Sequence, residues 1–237
     1  YLIALEDRIK KLIGSRIFRG SIELTVDVKH DKESDVDLRL NVPLAEAYYS
    51  LLKKLKEALK FIKQLILEDK ILLLVGTKVQ AKEMVKSLAQ ECGLPYVSER
   101  WLGGTFTNFE TIKKRIDYFK DLEKRKSEGE LDSFTKKERI KIDKELRDLE
   151  IKIGGIKNLT RLPDAVFVLD TVKDDLAVKE ARGKGVQVIG LCDTNSDPTL
   201  ADYPIPANDD AISSLKYILD KVKETVLKAR KEKPAKE

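Results

Sequence analysis

Ile71-Leu72-Leu73-Leu74-Val75-Gly76-Thr77-Lys78 is the stretch on which the fold turns. Five apolar residues in unbroken succession, closed by Gly-Thr-Lys, suit a strand buried on both faces of a parallel sheet. Two further runs repeat the pattern, Ala165-Val166-Phe167-Val168-Leu169 and Val186-Gln187-Val188-Ile189-Gly190-Leu191. Tyr96-Val97 reads as a short strand, and Ile205 adds a last one. Between these runs the sequence predicts helices: one to about Gln90 stopped by Gly93, one over Asp174–Arg182 ended by Gly183 or Gly185, and one from Asp209 to about Arg230. Strands alternating with helices argue an α/β fold with right-handed crossovers. The expected class is a Rossmann-like or flavodoxin-like parallel sheet flanked by helices.

A segment from about 108 to 154 interrupts this alternation. Phe109, Ile112, Ile116, Phe119 and Leu122 recur at spacings of three and four, giving one apolar seam. Ser127-Glu128-Gly129-Glu130 breaks it, Thr135-Lys136-Lys137-Glu138 fits a capping box, and Ile142, Leu146, Leu149 and Ile153 form a second seam. Two helices of this kind pack as an antiparallel, coiled-coil hairpin, which Gly154-Gly155 ends. The hairpin is entered through Arg100-Trp101-Leu102-Gly103-Gly104-Thr105-Phe106-Thr107-Asn108, where paired glycines permit a sharp turn beside the only tryptophan. Thr107 or Asn108 is expected to cap the helix starting near Phe109.

The front of the chain differs. Leu2, Leu5, Ile9, Leu12 and Ile13 fall at helical spacing, and Gly14 closes that helix. Ile22, Leu24, Val26 and Val28 alternate with polar residues as in a half-buried strand; His30 to Asp37 reads as a polar turn, and Val36, Leu38 and Leu40 as a second short strand. Pro43 sits early in a helix running from about Leu44 to Leu67. The expected organisation is an atypical α+β segment over 1–52, an α/β domain over 53–230 carrying the hairpin, and a charged tail over 231–237.

Composition narrows the classes. Of 237 residues, 42% are hydrophobic, enough for a sizeable core. Lys+Arg 46 against Asp+Glu 41 gives only +5, so a basic partner surface must come from local clustering. Cys92 and Cys192 stand far apart, which argues against a disulfide scaffold and suits a reducing cytoplasm. No apolar run approaches the roughly 18 residues that span a bilayer. The opening Tyr1-Leu2-Ile3-Ala4-Leu5-Glu6 lacks the basic start of a signal peptide, and an initial Tyr suggests that a start precedes it.

No nucleophile–base pair emerges. Gly76-Thr77-Lys78 ends a buried strand, where open α/β sheets bind phosphate, yet the P-loop spacing and any G-x-G-x-x-G are absent. A nucleotide enzyme is therefore disfavoured, and Lys78 is expected either to meet an RNA phosphate or to face water. Asp193-Thr194-Asn195-Ser196-Asp197-Pro198 reads as a structured loop packing near Asn208-Asp209-Asp210, whose acids are expected to open the terminal helix and favour its dipole. His30, alone with two distant cysteines, makes no zinc site, so neither metal nor cofactor is expected. Lys113, Lys114 and Arg115 on the first hairpin helix, and Lys136 and Lys137 on the second, suit phosphate contact without base readout. Arg100 joins them, with Trp101 as a stacking surface only if its ring is exposed.

The order R-W-L-G-G-x-x-T-N-x-x-T-I over 100–112, then Gly154-Gly155-Ile156-Lys157, Leu162-Pro163-Asp164-Ala165, Asp193-Thr194-Asn195-Ser196-Asp197-Pro198 and Pro206-Ala207-Asn208-Asp209-Asp210-Ala211, resembles the universal small (30S) subunit ribosomal protein family conventionally numbered two. The resemblance runs from about Lys54 to about Arg230. It implies a structural constituent of the small ribosomal subunit, cytoplasmic and ribosome-associated. The implied partners are small-subunit rRNA and neighbouring ribosomal proteins, including the large multi-domain RNA-binding protein of the subunit; neither a membrane nor a small-molecule substrate is implied. The family's Gly-x-His-Phe-Gly-His-like opening is missing. Instead Leu5-Glu6-Asp7-Arg8-Ile9, Arg19-Gly20-Ser21-Ile22-Glu23-Leu24-Thr25-Val26 and Leu38-Arg39-Leu40-Asn41 resemble the front of the YicC-type endoribonuclease family, which makes an RNA-processing role the competing expectation.

Overall fold

The structure is a computed structural model that describes residues 26–27, 37–38 and 42–233. The chain divides into two compact units, Tyr1–Lys53 and Lys54–Glu237. In the first, β1 (Val26–Asp27) and β2 (Asp37–Leu38) pair antiparallel, with Val26 opposite Leu38. The expected helix near 2–13, most of the strand expected over 22–28 and the end of the tail lie outside the described residues. Helix α1 (Val42–Leu67) follows, with Pro43 in its first turn, where a missing N–H costs nothing.

The second unit is built on a five-stranded sheet of β3 (Leu72–Val75), β4 (Tyr96–Val97), β5 (Ala165–Val168), β6 (Gln187–Cys192) and β7 (Tyr203–Pro206). The order is β4-β3-β5-β6-β7 and every pairing is parallel. Leu74, Phe167 and Ile189 lie in one register across the three central strands. The pleat sends Leu72, Leu74, Phe167, Ile189 and Leu191 to one face, against Ile62 of α1, Val85 of α2 (Lys82–Cys92) and Val222 of α6 (Ile212–Glu232). It sends Leu73, Val75, Val166, Val168 and Val188 to the other, against Ile116 and Phe119 of α3 (Phe109–Ser127) and Val178 of α5 (Asp175–Gly183). Both faces are covered, which is why these strands read as continuous apolar runs rather than as an alternation. Each fully buried Leu, Val or Phe contributes about 1.5–3 kcal/mol, so truncating Phe167 at the sheet centre would be felt throughout the fold.

The hairpin is α3 followed by α4 (Lys136–Ile153), joined through Gly129 at φ 77° and a single 3-10 turn, Glu130–Ser133. Ile112, Ile116, Phe119 and Leu122 are buried along α3, and Leu146 and Ile153 along α4. The seam is continuous with the second face of the sheet, so the base of the hairpin belongs to the core. Tyr118 Oη donates to Glu145 at 3.0 Å and Lys126 pairs with Asp143 at 2.7 Å, fastening the two helices side by side. The capping box is formed: the Glu138 amide donates to Thr135 Oγ1 while the Thr135 amide donates to the Glu138 carboxylate. Past α4 the backbone presses on β4. A Cβ on Gly155 would stand 2.2 Å from the Tyr96 carbonyl oxygen, so only glycine fits.

One boundary differs from expectation. The terminal helix begins at Ile212, not at Asp209, and its N-cap is Ala211 without a side-chain bond. The Asn208 Oδ1 accepts from the amides of Asp210 and Ala211, making a turn ahead of the helix. Asp209 and Asp210 are turned instead toward Lys78.

Candidate nucleic-acid interface

The loop that enters the hairpin is folded around one carboxylate. Glu180 on α5 is buried, and its oxygens accept from the amides of Gly104 at 2.7 Å, Phe106 at 2.9 Å and Thr107 at 3.3 Å. Gly104 supplies the left-handed turn, φ 91°, that points these amides inward. Burial pushes the Glu180 pKa up, but the three amide bonds outweigh it and hold the carboxyl below the ordinary glutamate range. Trp101 packs edge-on to Phe106, centroids 4.9 Å apart, and is only 6% exposed. Its indole Nε1 is buried without a well-formed hydrogen bond, although the indole N–H still helps to keep Glu180 ionised. Trp101 is therefore a wall of the core and not a stacking surface for a base.

The cap expected from Thr107 or Asn108 is not made. α3 does start at Phe109, but Asn108 forms no side-chain cap bond; its Oδ1 takes the Thr111 hydroxyl at 2.9 Å. The Thr107 amide is held by Glu180. A sequence reading missed Glu180 because a glutamate in an amphipathic helix reads as solvated. Its one signal was position: it lies on the face of buried Ala177, Val178 and Ala181.

Some cations of the hairpin are paired and others are not. Toward the turn, Arg125 pairs with Glu130 at 3.2 Å, Lys126 with Asp143, and Lys124 with Glu128 at 3.8 Å. Toward the base, Lys113, Lys114 and Arg115 are exposed and have no ion-pair partner among the described residues. Arg100, just before the loop, is exposed in the same way, and so are Lys136 and Lys137 in the first turn of α4. Unpaired charges thus stand in two places, beside the loop that Glu180 fixes and, at Lys136 and Lys137, at the turn end of the hairpin where the second helix opens.

Lys78 behaves otherwise and corrects its expected role. At the C-terminal end of β3 its ammonium bonds Asp210 at 2.6 Å and Asp209 at 2.8 Å and lies 3.4 Å from Asp170, with the side chain only 16% exposed. It neither faces water nor stands free for a phosphate. Burial would lower its pKa, but the hydrogen bonds it donates to Asp209 and Asp210 and the fields of Asp209 and Asp170 raise it instead. Asp209 remains above the usual carboxylate range because burial and Asp170 outweigh Lys78. Asp193 accepts from the Asp209 amide at 3.1 Å, and Asp174 takes the Thr77 hydroxyl at 2.9 Å. Asp197 accepts from the Thr199 amide at 2.9 Å, while Asn195 stays exposed in the same loop. Asp193, Asp209 and Asp210 bring carboxylate oxygens within 4.8 Å of one another, but a lysine already bonds two of the three. This crevice lies between β3 and β5, the point where the strand order reverses and doubly wound sheets admit ligands, and it is filled from within.

Among the described residues no helix is long and apolar enough to cross a membrane, and Cys92 and Cys192 are free and buried.

Fold and site together define an α/β protein whose switch-point crevice is closed by its own ion pairs and whose helical hairpin carries cations with no ion-pair partner among the described residues. The chain belongs to the Ribosomal protein S2 family, whose profile matches residues 48–229, over three quarters of its length. It is accordingly a ribosomal protein of the small subunit, a structural constituent with a role in translation. The match starts at residue 48 and lends no support to the endoribonuclease-like reading of the front, whose quoted residues lie, except for Val26 and Leu38, outside the described ones.

Proposed function

We propose that the chain binds small-subunit rRNA through its hairpin, with Arg100, Lys113, Lys114 and Arg115 neutralising phosphates at the base and Lys136 and Lys137 adding contacts at the far end, where α4 begins. The observation that carries this reading is that these cations have no counter-ion among the described residues, whereas Lys126 and Arg125 of the same hairpin are paired. An unpaired cation on a rigid helix keeps its field and gives up little order on meeting a phosphate. Lys136 and Lys137 also sit at the positive end of the α4 dipole, where only an anion is favoured. The interface positions and does not catalyse. Lys78 and Trp101 drop out of it.

The second unit, hairpin included, is the docking body; neighbouring small-subunit proteins, among them the large multi-domain RNA-binding protein, would be held beside it, in the cytoplasm and on the ribosome. Titration of small-subunit rRNA with the whole chain over a salt series tests the reading. The logarithm of the affinity should fall linearly with the logarithm of salt, and Lys113→Ala/Lys114→Ala/Arg115→Ala should lower the slope by about 2 to 3. An unchanged slope would remove the hairpin from the interface.

A further inference from the structure

The C-terminal edge of the sheet has the opposite character to the hairpin. Val79 is 79% exposed, Val172 47%, Leu176 43% and Ile212 60%. Strand pairing sets the loops of Val79 and Val172 side by side, for the Leu169 amide donates to the Val75 carbonyl at 3.0 Å and Lys173 Nζ to the Thr77 carbonyl at 3.1 Å. The bond from Lys78 to Asp210 brings in the turn before Ile212, and the bond from Thr77 to Asp174 brings in the start of α5, which holds Leu176. Four exposed apolar side chains therefore stand on segments tied to one ion-pair cluster. Single exposed apolar residues are ordinary, but a group gathered at one edge marks an interaction surface.

The charge there decides the partner. Asp170, Asp209 and Asp210 converge on the Lys78 ammonium, with Asp193 bound to the Asp209 amide and Asp174 to Thr77; against these five acids the edge sets the ammonium groups of Lys78 and Lys173, which leaves it acidic. Asp210 engages Lys78 through Oδ1 while 74% of its side chain remains in solvent. Phosphates are repelled from such an edge and a cationic side chain is drawn to it.

We propose that this edge docks a basic, apolar-tipped segment of a neighbouring protein in the small subunit. Val79, Val172, Leu176 and Ile212 cover the apolar side chains of that segment, and Asp210 and Asp193 pair its lysine or arginine. The inference rests on the reading that the chain sits in the subunit; its surface borders the loop of Arg100, where Leu176 lies beside Gly103, but includes none of the proposed phosphate contacts.

Photo-cross-linking in assembled small subunits tests it, with benzoylphenylalanine placed at position 79 or 212 of the full chain, and at position 114 as a reporter of the hairpin. The expected result is a cross-link from 79 and 212 to a protein peptide that carries lysine or arginine beside apolar residues. A Val79→Lys change, which sets a cation against a cationic partner, should abolish the cross-link from 212 while that from 114 to rRNA persists. Cross-links from 79 and 212 to rRNA, to an acidic peptide or to this chain's own first 53 residues would overturn the proposal, as would none at all in subunits where 114 still reaches rRNA. A cross-link from 79 and 212 to protein without one from 114 would sink the hairpin reading alone. A chain that never enters the subunit would sink both.

Discussion

The Glu180 carboxylate and the Gly104 amide, 76 positions apart in sequence, meet at 2.7 Å and tie the hairpin's entry loop to α5. Phe106 and Thr107 complete the grip. The loop that carries Arg100 into Lys113 is thereby given one shape. A Glu180→Gln change keeps the volume but removes the charge and one acceptor, and should cost about 1–2 kcal/mol. Glu180→Ala, which orphans the amides, should cost about 3 kcal/mol. Chemical denaturation of the whole chain checks both values.

The same bond sets an acid dependence. The folded pKa of Glu180 is depressed, so its contribution is complete above the unfolded value of about 4.3 and is lost as pH falls through the folded value beneath it. The stability gap between wild type and Glu180→Gln should therefore be constant near neutrality and close below about pH 4. A gap that widens in acid would contradict the assignment.

Lys78 predicts the reverse. Replacing it with Met leaves Asp170, Asp209 and Asp210 facing one another, at a cost on the order of 3 kcal/mol. Asp209, already raised by burial, would rise further. A raised carboxyl stabilises the fold while protonated and loses that stability as pH climbs from the ordinary value of about 3.9 toward the folded one. Thermal melts of Lys78→Met should thus approach wild type as pH is lowered toward 4 and diverge from it at neutrality. Equal melts at pH 7 would show the cluster to be dispensable.

The paired glycines after α4 should respond unequally. Gly155→Ala drives a methyl into the Tyr96 backbone carbonyl, which cannot step aside, and should cost at least about 2 kcal/mol. Gly154→Ala meets only the flexible end of Glu150 in a helical conformation and should stay within about 0.5 kcal/mol. For a chain of this size each kcal/mol shifts Tm by about 2–4 °C, so a melting comparison separates the two.

What the sequence shows is local, and what it hides is distant. The runs Leu72–Val75 and Ala165–Val168 were readable because burial on both faces leaves no polar break, and the Thr135–Glu138 box because its partners are three residues apart. The helix start at Phe109 was readable, but its cap was not, since the loop amides had gone to a glutamate more than 70 positions away. Asp209 and Asp210 looked like dipole caps for the same reason: nothing nearby in sequence points to Lys78, 131 positions earlier. The family motifs carried the functional reading because several stood in one order. They could not separate Lys113, unpaired, from Lys126, held by Asp143, because that difference lies across the hairpin.

Co-sedimentation of the whole chain with small subunits lacking this protein, over a salt series, probes the central claim most directly. Saturable binding that weakens as salt rises, and that the Lys113→Ala/Lys114→Ala/Arg115→Ala chain largely loses while melting like wild type, is the expected result. Binding indifferent to salt and to those three changes, or no binding by a folded chain, would contradict the claim that hairpin cations seat it on rRNA.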